Sequence, residues 1–512
     1  MGRSHILAID LGTGGPKVAL VGLDGSILGH ELEVTDLILL PGGGAEQDPA
    51  GWWTAITRAV GRLLGRHLLA VEDIVAVSVT AQWSGTVAVD EDGRALMNAI
   101  IWMDSRGARY VKDLVGGPVT FMGYDPRKLR LFIHRTGGIP SRSGKDPVAH
   151  ILFIRHERPD VYRATRCFLE PADYLNLRLC GSAVSSHDCV VAHWLTDNRE
   201  IGAVRWDPDL IRLAGIDQAK LPPLVPSASV VGEVTAAVVA EWGLAPGTSV
   251  VTATGDVHSA VVGSGAIADH AGHLYIGTSS WLSCHVPWKR TDVRHNQASL
   301  PSALPGRYFL ANEHETAGAC LTHLRDGLGI GADLAELNAI AAGSPVGANR
   351  LLYTPWLNGE RTPVDDHTIR GGWSNLSLGH DRGDLVRSVF EGVAFNSKWL
   401  LDVVETFTKQ EMNGLNFIGG GALSDLWCQI HADVLGRTIR RVADPQHANV
   451  RGAALLAALA LGRATADELA ANVRIDATFE PNAGTTAIYD ELYPEFRNLY
   501  KAHRKIHARL NR

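Results

Sequence analysis

Apolar residues fall along this chain in two alternating rhythms. Short runs with strand character occupy residues 6–10, 17–21, 71–79, 99–102, 230–234, 249–252, 273–276, 281–286 and 415–418, most of them bounded by Gly, Asp, Ser or Thr. Between them lie helical patterns. One begins at Asp48-Pro49, read as cap and first turn; others span 145–157, the region of Asp173-Tyr174-Leu175 ahead of Gly181, 208–214, 236–242 and 384–400. Small residues dominate two more, at 257–268 and 450–461, and suit close helix packing. An apolar helix is expected from Ala317-Gly318-Ala319 to Leu328, and a charged surface helix over 489–509. Strands alternating with helices predict an α/β protein. A break at 243–247, rich in Gly and Pro, divides the chain into halves, 1–246 and 247–512. Each half opens with an echo of the other: LAIDLGTGGPKVALV beside LYIGTSSWLSCHV, both reading strand, Gly-Thr-small turn, strand. The echo is either chance or the trace of a duplication.

Composition narrows the partners. The 512 residues carry a net charge of −7 without a basic run, which excludes nucleic acid as the main partner. No apolar run approaches the ~20 residues needed to span a bilayer. Six cysteines, with no C-x-x-C pair, fit free thiols in a reducing compartment. The N-terminal apolar run is too short for the core of a signal peptide. A cytoplasmic protein acting on a small molecule is the expectation.

Candidate chemistry sits at strand ends. Asp10 closes the first strand and Gly12-Thr13-Gly14-Gly15 follows, with Lys17 opening the next strand. This is neither a Rossmann fingerprint nor a P-loop. It suits a phosphate cradle in which Asp10 holds a hydrated Mg²⁺ and Thr13 and Gly14 approach the phosphates, or it is an ordinary hairpin. Asp256 stands alone at the end of the 249–252 region, as a general base would, and Gly277-Thr278-Ser279-Ser280 forms a second turn rich in donors. Gln82, Ser84 and Asp104 lie just past strand ends, where α/β folds bind ligands, and suit a polyol. For Asp104 a local ion pair with Arg106, or a helix cap, is an equal alternative. Gly419-Gly420-Gly421-Ala422, with Ser424 or Asp425 as helix cap, would let a flat ligand lie on bare backbone, or it is a packing turn.

Together these motifs resemble the FGGY carbohydrate kinases of the actin-like ATPase superfamily over nearly the whole chain. IDLGTGGPK and YIGTSS resemble the two phosphate hairpins, NGERTP the cleft loop and IGGGALSDLW the adenosine motif. GGWSNLSLGHDRGDLVRSVFE (371–391) resembles a family signature, with Asn375 where glycine is usual. The resemblance implies two duplicated actin-like (ribonuclease H-like) α/β domains, with mixed sheets flanked by helices and an interdomain cleft. Sugar would sit in the first domain and ATP mainly against the second. It implies Asp256 as catalytic base and Asp10 as the Mg²⁺ position. Thr13, Gly14, Lys17, Gly277, Thr278 and Ser279 would meet the phosphates. Gly318, Thr322, Gly420, Gly421, Ala422 and Asp425 would line the nucleotide site, and Gln82, Trp83, Ser84 and Asp104 would meet the sugar. Dimers are common in the family, so a homodimer is an expectation.

The motifs are closest to the xylulokinase type, which makes a ketopentose such as D-xylulose the leading substrate. Trp83 and Ser84 stand where Met and His are usual, and the Arg-Glu pair typical of glycerol kinases is missing. Another ketose or a polyol, of the ribulose or erythritol type, is therefore an alternative. Pro16 in the first hairpin is a further departure, since it lacks an N–H. A nucleotide-driven actin-like ATPase without kinase activity is the other class of reading.

Overall fold

The first apolar run becomes the centre of a sheet. In the computed structural model, which describes residues 4–511, β1 (His5–Gly12), β2 (Gly15–Gly22) and β3 (Ile27–Leu32) form an antiparallel meander. Helix α1 (Pro49–Leu64) starts as expected: the Asp48 side chain accepts from the Ala50 and Gly51 N–H groups, and Pro49 occupies the first turn. It lays Trp52, Ile56 and Leu63 against the sheet core. Strand β4 (Ile74–Ala81) runs parallel to β1 and is buried along its whole length, as strands covered on both faces are. Helix α2 (Pro171–Cys180) ends at Gly181, whose φ of 78° supplies a left-handed cap. Strands β5 (Val230–Glu233) and β6 (Ser249–Val251) complete the order β5-β6-β4-β1-β2-β3. The first sheet thus takes a strand from beyond residue 246, the end of the first half in the sequence-based division. The paired Thr254–Gly255 segment extends it further, alongside the end of β4.

Helix α3 (Asp256–Gly263) leads out of this sheet into the second. There β7 (Gly272–Ile276), β8 (Ser280–Ser283), α4 (Gly318–Thr322), α5 (Arg382–Thr408), β9 (Gly414–Ile418), α6 (Asp425–Leu435), β10 (Thr438–Val442), α7 (Ala448–Ala460) and β11 (Ile475–Phe479) follow, before the terminal α8 (Ala483–Leu510). The sheet order is β8-β7-β9-β10-β11. Its polarity repeats that of the first sheet. An antiparallel hairpin pairs in parallel with the next strand, that strand pairs in parallel with another, and an antiparallel strand follows. The hairpin echo read from the sequence is therefore one corner of a repeated topology, and the fold is two related α/β domains with mixed sheets.

Two helices join them. Residues Val450, Ala453, Ala454 and Ala457 of α7 pack on Ile6, Ala8, Ala19 and Val251 of the first sheet. Ala260 and Val262 of α3 pack with Ile418 and Val442 of the second. The helices cross backbone to backbone. A Cβ on Gly452 would lie 1.8 Å from the Ser259 carbonyl oxygen, and one on Gly263 would lie 1.8 Å from that of Ala448. That is the physical use of the small residues in both segments.

Three expectations change. The helix after Ala317 is short, and it passes at Thr322 into a π-helical turn over His323–Gly327 instead of continuing to Leu328. Helix α5 runs longer at both ends than 384–400. The terminal helix is only partly a surface helix. It buries Tyr489, Leu492 and Phe496, and the Tyr489 hydroxyl donates to Glu391, itself paired with Arg387 at 2.7 Å. Asn375 has a φ of 71°, a left-handed conformation that asparagine tolerates better than most residues, and its side chain donates to the Arg350 carbonyl at 3.1 Å. This explains how it stands in for glycine.

Candidate functional site

The β1–β2 turn is a two-residue loop. Gly12 pairs with Gly15, Asp10 with Lys17, and Thr13-Gly14 form the tip, with Gly14 exposed. Pro16 lies buried in β2 opposite Leu11, where its carbonyl accepts from the Glu33 N–H at 3.0 Å, so it belongs to the sheet and not to the tip. Lys17 donates to the carbonyl of Gln446, bridging the first hairpin to the second domain. Asp10 is 9% exposed and its Oδ1 has no hydrogen-bond partner. Burial pushes its carboxyl pKa up, against the pull of Lys17 and Asn449.

Asp256 follows directly on the Thr254–Gly255 pairing with β4, which sets it beside the loop that begins at Gln82. Its Oδ1 accepts from the Val257 N–H at 2.9 Å. Burial, then the negative charges of Asp10 and Glu313, push its carboxyl up to about 7, while the Val257 and Trp83 N–H groups pull the other way. The Tyr275 hydroxyl on β7 is also raised, first by burial and then by Asp256, Asp10 and Glu313. One cluster of like charges thus faces both domains. Nothing in the spacing of the sequence flagged Glu313.

The second turn rests on glycines. Gly277 donates to the Ser279 carbonyl and Gly318 to the Gly277 carbonyl, both at 2.9 Å. A Cβ on Gly318 would meet Gly277 O at 2.3 Å, and one on Gly419 would meet Ile276 O at 2.4 Å. The Gly277-Thr278-Ser279 turn, the N-terminus of α4 and the Gly419–Gly421 turn are therefore assembled in direct backbone contact. Thr278 and Thr322 are exposed and Gly420 is half-buried, whereas Gly421 and Ala422 are buried beneath them. Ser424 caps α6, accepting from Trp427 N–H at 3.0 Å, while Asp425 is exposed and paired with Arg441.

On the opposite side the expected sugar residues are anchored in the protein. Gln82 is 2% exposed: its Oε1 accepts from the Thr13 hydroxyl at 3.1 Å and its Nε2 donates to Gln47 at 2.6 Å. Asp104 is 1% exposed, ion-paired with Arg106 at 2.6 Å, and accepts from the Ala45 N–H at 2.9 Å. The local ion pair with Arg106 is formed, and Asp104 Oδ1 also accepts from the Arg106 N–H at 2.8 Å. The Trp83 indole donates to the Cys189 carbonyl at 2.8 Å, with its ring edge-on to His258. Ser84 holds a φ of 68°. Around them lie Arg361 of the cleft loop and residues to which the motifs assign no role, Trp102, Lys145, Glu313 and Glu315. The Trp102 indole donates to the Thr13 hydroxyl at 2.9 Å, and Arg361 lies 5.4 Å over its ring. Arg361 pairs with Glu313 and Glu315, and Lys145 reaches Glu315 at 3.6 Å. The Trp102–Arg361 and Lys145–Glu315 contacts cross from one domain to the other, and all of these contacts join residues far apart in the chain, so neighbouring sequence gives no sign of them.

Among the described residues no three His, Cys, Asp or Glu side chains form a preassembled metal cage, and no helix is long and apolar enough to cross a membrane. All six cysteines are unpaired.

The family model for the N-terminal domain of the FGGY family of carbohydrate kinases matches residues 5–263, and that for the C-terminal domain matches residues 273–461. The chain is 30% identical over 520 residues to a xylulose kinase of Staphylococcus epidermidis, covering 100% of this chain and 99% of that one. It is 25% identical over 502 residues to a glycerol kinase of Desulfitobacterium hafniense, covering 94% and 95%. The crystal structure of a xylulose kinase from Rhodospirillum rubrum superposes with a TM-score of 0.83 at 26% identity, over 98% of this chain and 100% of that one.

Proposed function

The chain belongs to the FGGY family of carbohydrate kinases, enzymes of ATP-dependent sugar phosphorylation, and on that premise we propose that its substrate is a neutral ketose, with D-xylulose foremost. The chemistry of this reading is carried by the placement of Asp256 directly after the Thr254–Gly255 pairing, beside the loop at Gln82, within reach of the charges of Asp10 and Glu313, and its substrate by the full-length similarity to a xylulose kinase of Staphylococcus epidermidis. Phosphoryl transfer asks the protein mainly for placement and charge neutralisation. Asp256 takes the proton of the attacking sugar hydroxyl. The turns at Thr13-Gly14 and Gly277-Thr278-Ser279 donate to the phosphates from either side, with Lys17 beside the first. Gly318, Thr322, Gly420 and Asp425 border the nucleotide, while Gly421 and Ala422 support it from beneath.

The orphaned Oδ1 of Asp10, in an acidic cluster without a complete cage, fits Mg²⁺, which is commonly held by one or two carboxylates together with substrate phosphates. When bound, the ion neutralises phosphate charge. Closure of the domains excludes water, which would otherwise accept the phosphoryl group. The first domain carries the sugar side and the second the nucleotide side. Similarity to the Staphylococcus epidermidis xylulose kinase over the full chain supports D-xylulose. Trp83 and Ser84 keep a second ketose or a polyol as the alternative. Among the cleft cations, Arg361 is paired with Glu313 and Glu315, and Lys145 with Glu315, which favours an uncharged substrate.

The test is a coupled ADP-release screen over ketopentoses, ketohexoses, four- to six-carbon polyols, glycerol and gluconate. Highest kcat/KM on D-xylulose supports the reading. Highest kcat/KM on glycerol or gluconate replaces the substrate, and sugar-independent ADP release alone would remove the kinase assignment.

A further inference from the structure

Gln47 is completely buried, yet it lies between the two loops to which the chemistry is assigned. Its Nε2 donates to the Thr13 carbonyl at 2.8 Å and to the Asp36 carbonyl at 3.3 Å. Its Oε1 accepts from Gln82 Nε2 at 2.6 Å and from the Trp52 indole at 3.2 Å. Gln82 returns to the same turn, since its Oε1 accepts from the Thr13 hydroxyl. That hydroxyl in turn accepts from Trp102, the ring beneath Arg361 of the second domain. The ring Thr13–Gln47–Gln82–Thr13 is closed, and these partners fix the orientation of each amide, since a flip would set oxygen against oxygen or nitrogen against a donor. Both faces of Thr13, carbonyl and hydroxyl, are thereby fixed from the sugar side of the cleft. Only an amide supplies at this one buried position both the donor to the Thr13 carbonyl and the acceptor for Gln82 and Trp52.

We propose that Gln47 is a positioning residue for phosphoryl transfer, locking the Thr13-Gly14 turn to the sugar loop so that the two are placed as one unit. This rests on the reading of that turn as a phosphate hairpin. Gln47 touches neither substrate and acts through Thr13 and Gln82. An error of about 1 Å at the transferred group costs about 10²-fold in rate, so loss of the tie falls on kcat and on the ATP constant more than on the sugar constant, because Gln82 keeps its bond to the Thr13 hydroxyl.

The experiment compares two substitutions and one control in the full-length enzyme. Gln47→Glu keeps the shape and the acceptor for Gln82 and Trp52 but sets a carboxylate oxygen against the Thr13 carbonyl. Gln47→Met removes the donor without adding charge, and it carries the test if the carboxylate prevents folding. Trp52→Phe removes one bond to Gln47 and leaves the Thr13 tie intact. The expected result is a fall in kcat of about 10- to 100-fold for both Gln47 variants. The sugar KM stays within about threefold and the ATP KM rises, whereas Trp52→Phe loses melting temperature but keeps kcat. Wild-type kcat and ATP KM in a folded Gln47→Met enzyme overturn the proposal. So does an equal loss of kcat in Trp52→Phe, which would make the effect one of general stability. Failure of the wild-type enzyme to phosphorylate any sugar would instead strike the functional reading beneath it.

Discussion

Replacing Asp256 by asparagine separates its chemistry from its cost to the fold. The carboxyl is lifted from the usual aspartate value of about 3.9 to about 7 by burial and by Asp10 and Glu313. At 1.36 kcal/mol for each pKa unit, this amounts to at most about 4 kcal/mol disfavouring the ionised form in the free enzyme. Two consequences have opposite signs. The wild-type kcat/KM for sugar rises about tenfold per pH unit up to about pH 7 and then levels, because only the carboxylate accepts the proton. In Asp256→Asn that inflection vanishes and turnover falls by about 10²–10⁴. Stability moves the other way. A carboxyl whose folded pKa is raised binds its proton more tightly in the fold, so wild-type stability declines as pH rises from about 4 through about 7. The amide escapes that decline. Melting curves should coincide near pH 4, and the variant should melt at or above the wild type at pH 8. A coupled ADP assay and thermal melts from pH 4 to pH 9 read both effects. Wild-type turnover in the variant, or a retained inflection near pH 7, would remove Asp256 as the base. A variant that melts lower at pH 8 would refute the electrostatic account.

Other outcomes follow from the packing of the glycines and the two-domain build. Gly420→Val should raise the ATP KM about tenfold or more with little loss of stability, since its nearest neighbour is Gln446 Nε2 at 3.7 Å. Gly421→Val would place its Cβ 2.7 Å from Ile276 and should lower the melting temperature, so an unchanged ATP KM in Gly420→Val would move the adenosine assignment elsewhere. Gly452→Ala at the α3–α7 crossing should destabilise by about 1–3 kcal/mol or more in denaturant unfolding, because its Cβ would overlap the Ser259 carbonyl. Small-angle scattering should show a smaller radius of gyration with sugar and nucleotide together than with neither, and an unaltered radius would count against domain closure.

What the sequence disclosed was local. Strand period, the Gly-Thr turns and the Asp48-Pro49 and Ser424 helix starts are set by neighbouring residues, and they lie where expected, with boundaries moved by a few positions. Asp10 and Asp256 stand out in the sequence because each is an acid following an apolar run, although Asp10 lies two residues inside β1 and Asp256 opens helix α3. Glu313, Lys145, Trp102 and Gln47 do not, since the partners that tie them to the site, such as Thr13 and Gln82 for Gln47 and Glu315 for Lys145, are tens to hundreds of residues away. For Asp104 the ion pair with Arg106 is legible because the partner is only two residues on. The terminal helix reads as a surface helix because its many charges mask Tyr489, Leu492 and Phe496, whose spacing fits one buried stripe.

The most direct test of the central claim is a crystal structure with Mg²⁺, a non-hydrolysable ATP analogue and the best sugar from the screen. The account predicts the γ-phosphate between Thr13-Gly14 and Gly277-Thr278-Ser279, with a sugar hydroxyl within about 3 Å of the Asp256 carboxylate. A nucleotide bound away from both turns, or an Asp256 carboxylate out of reach of every sugar hydroxyl, would contradict it.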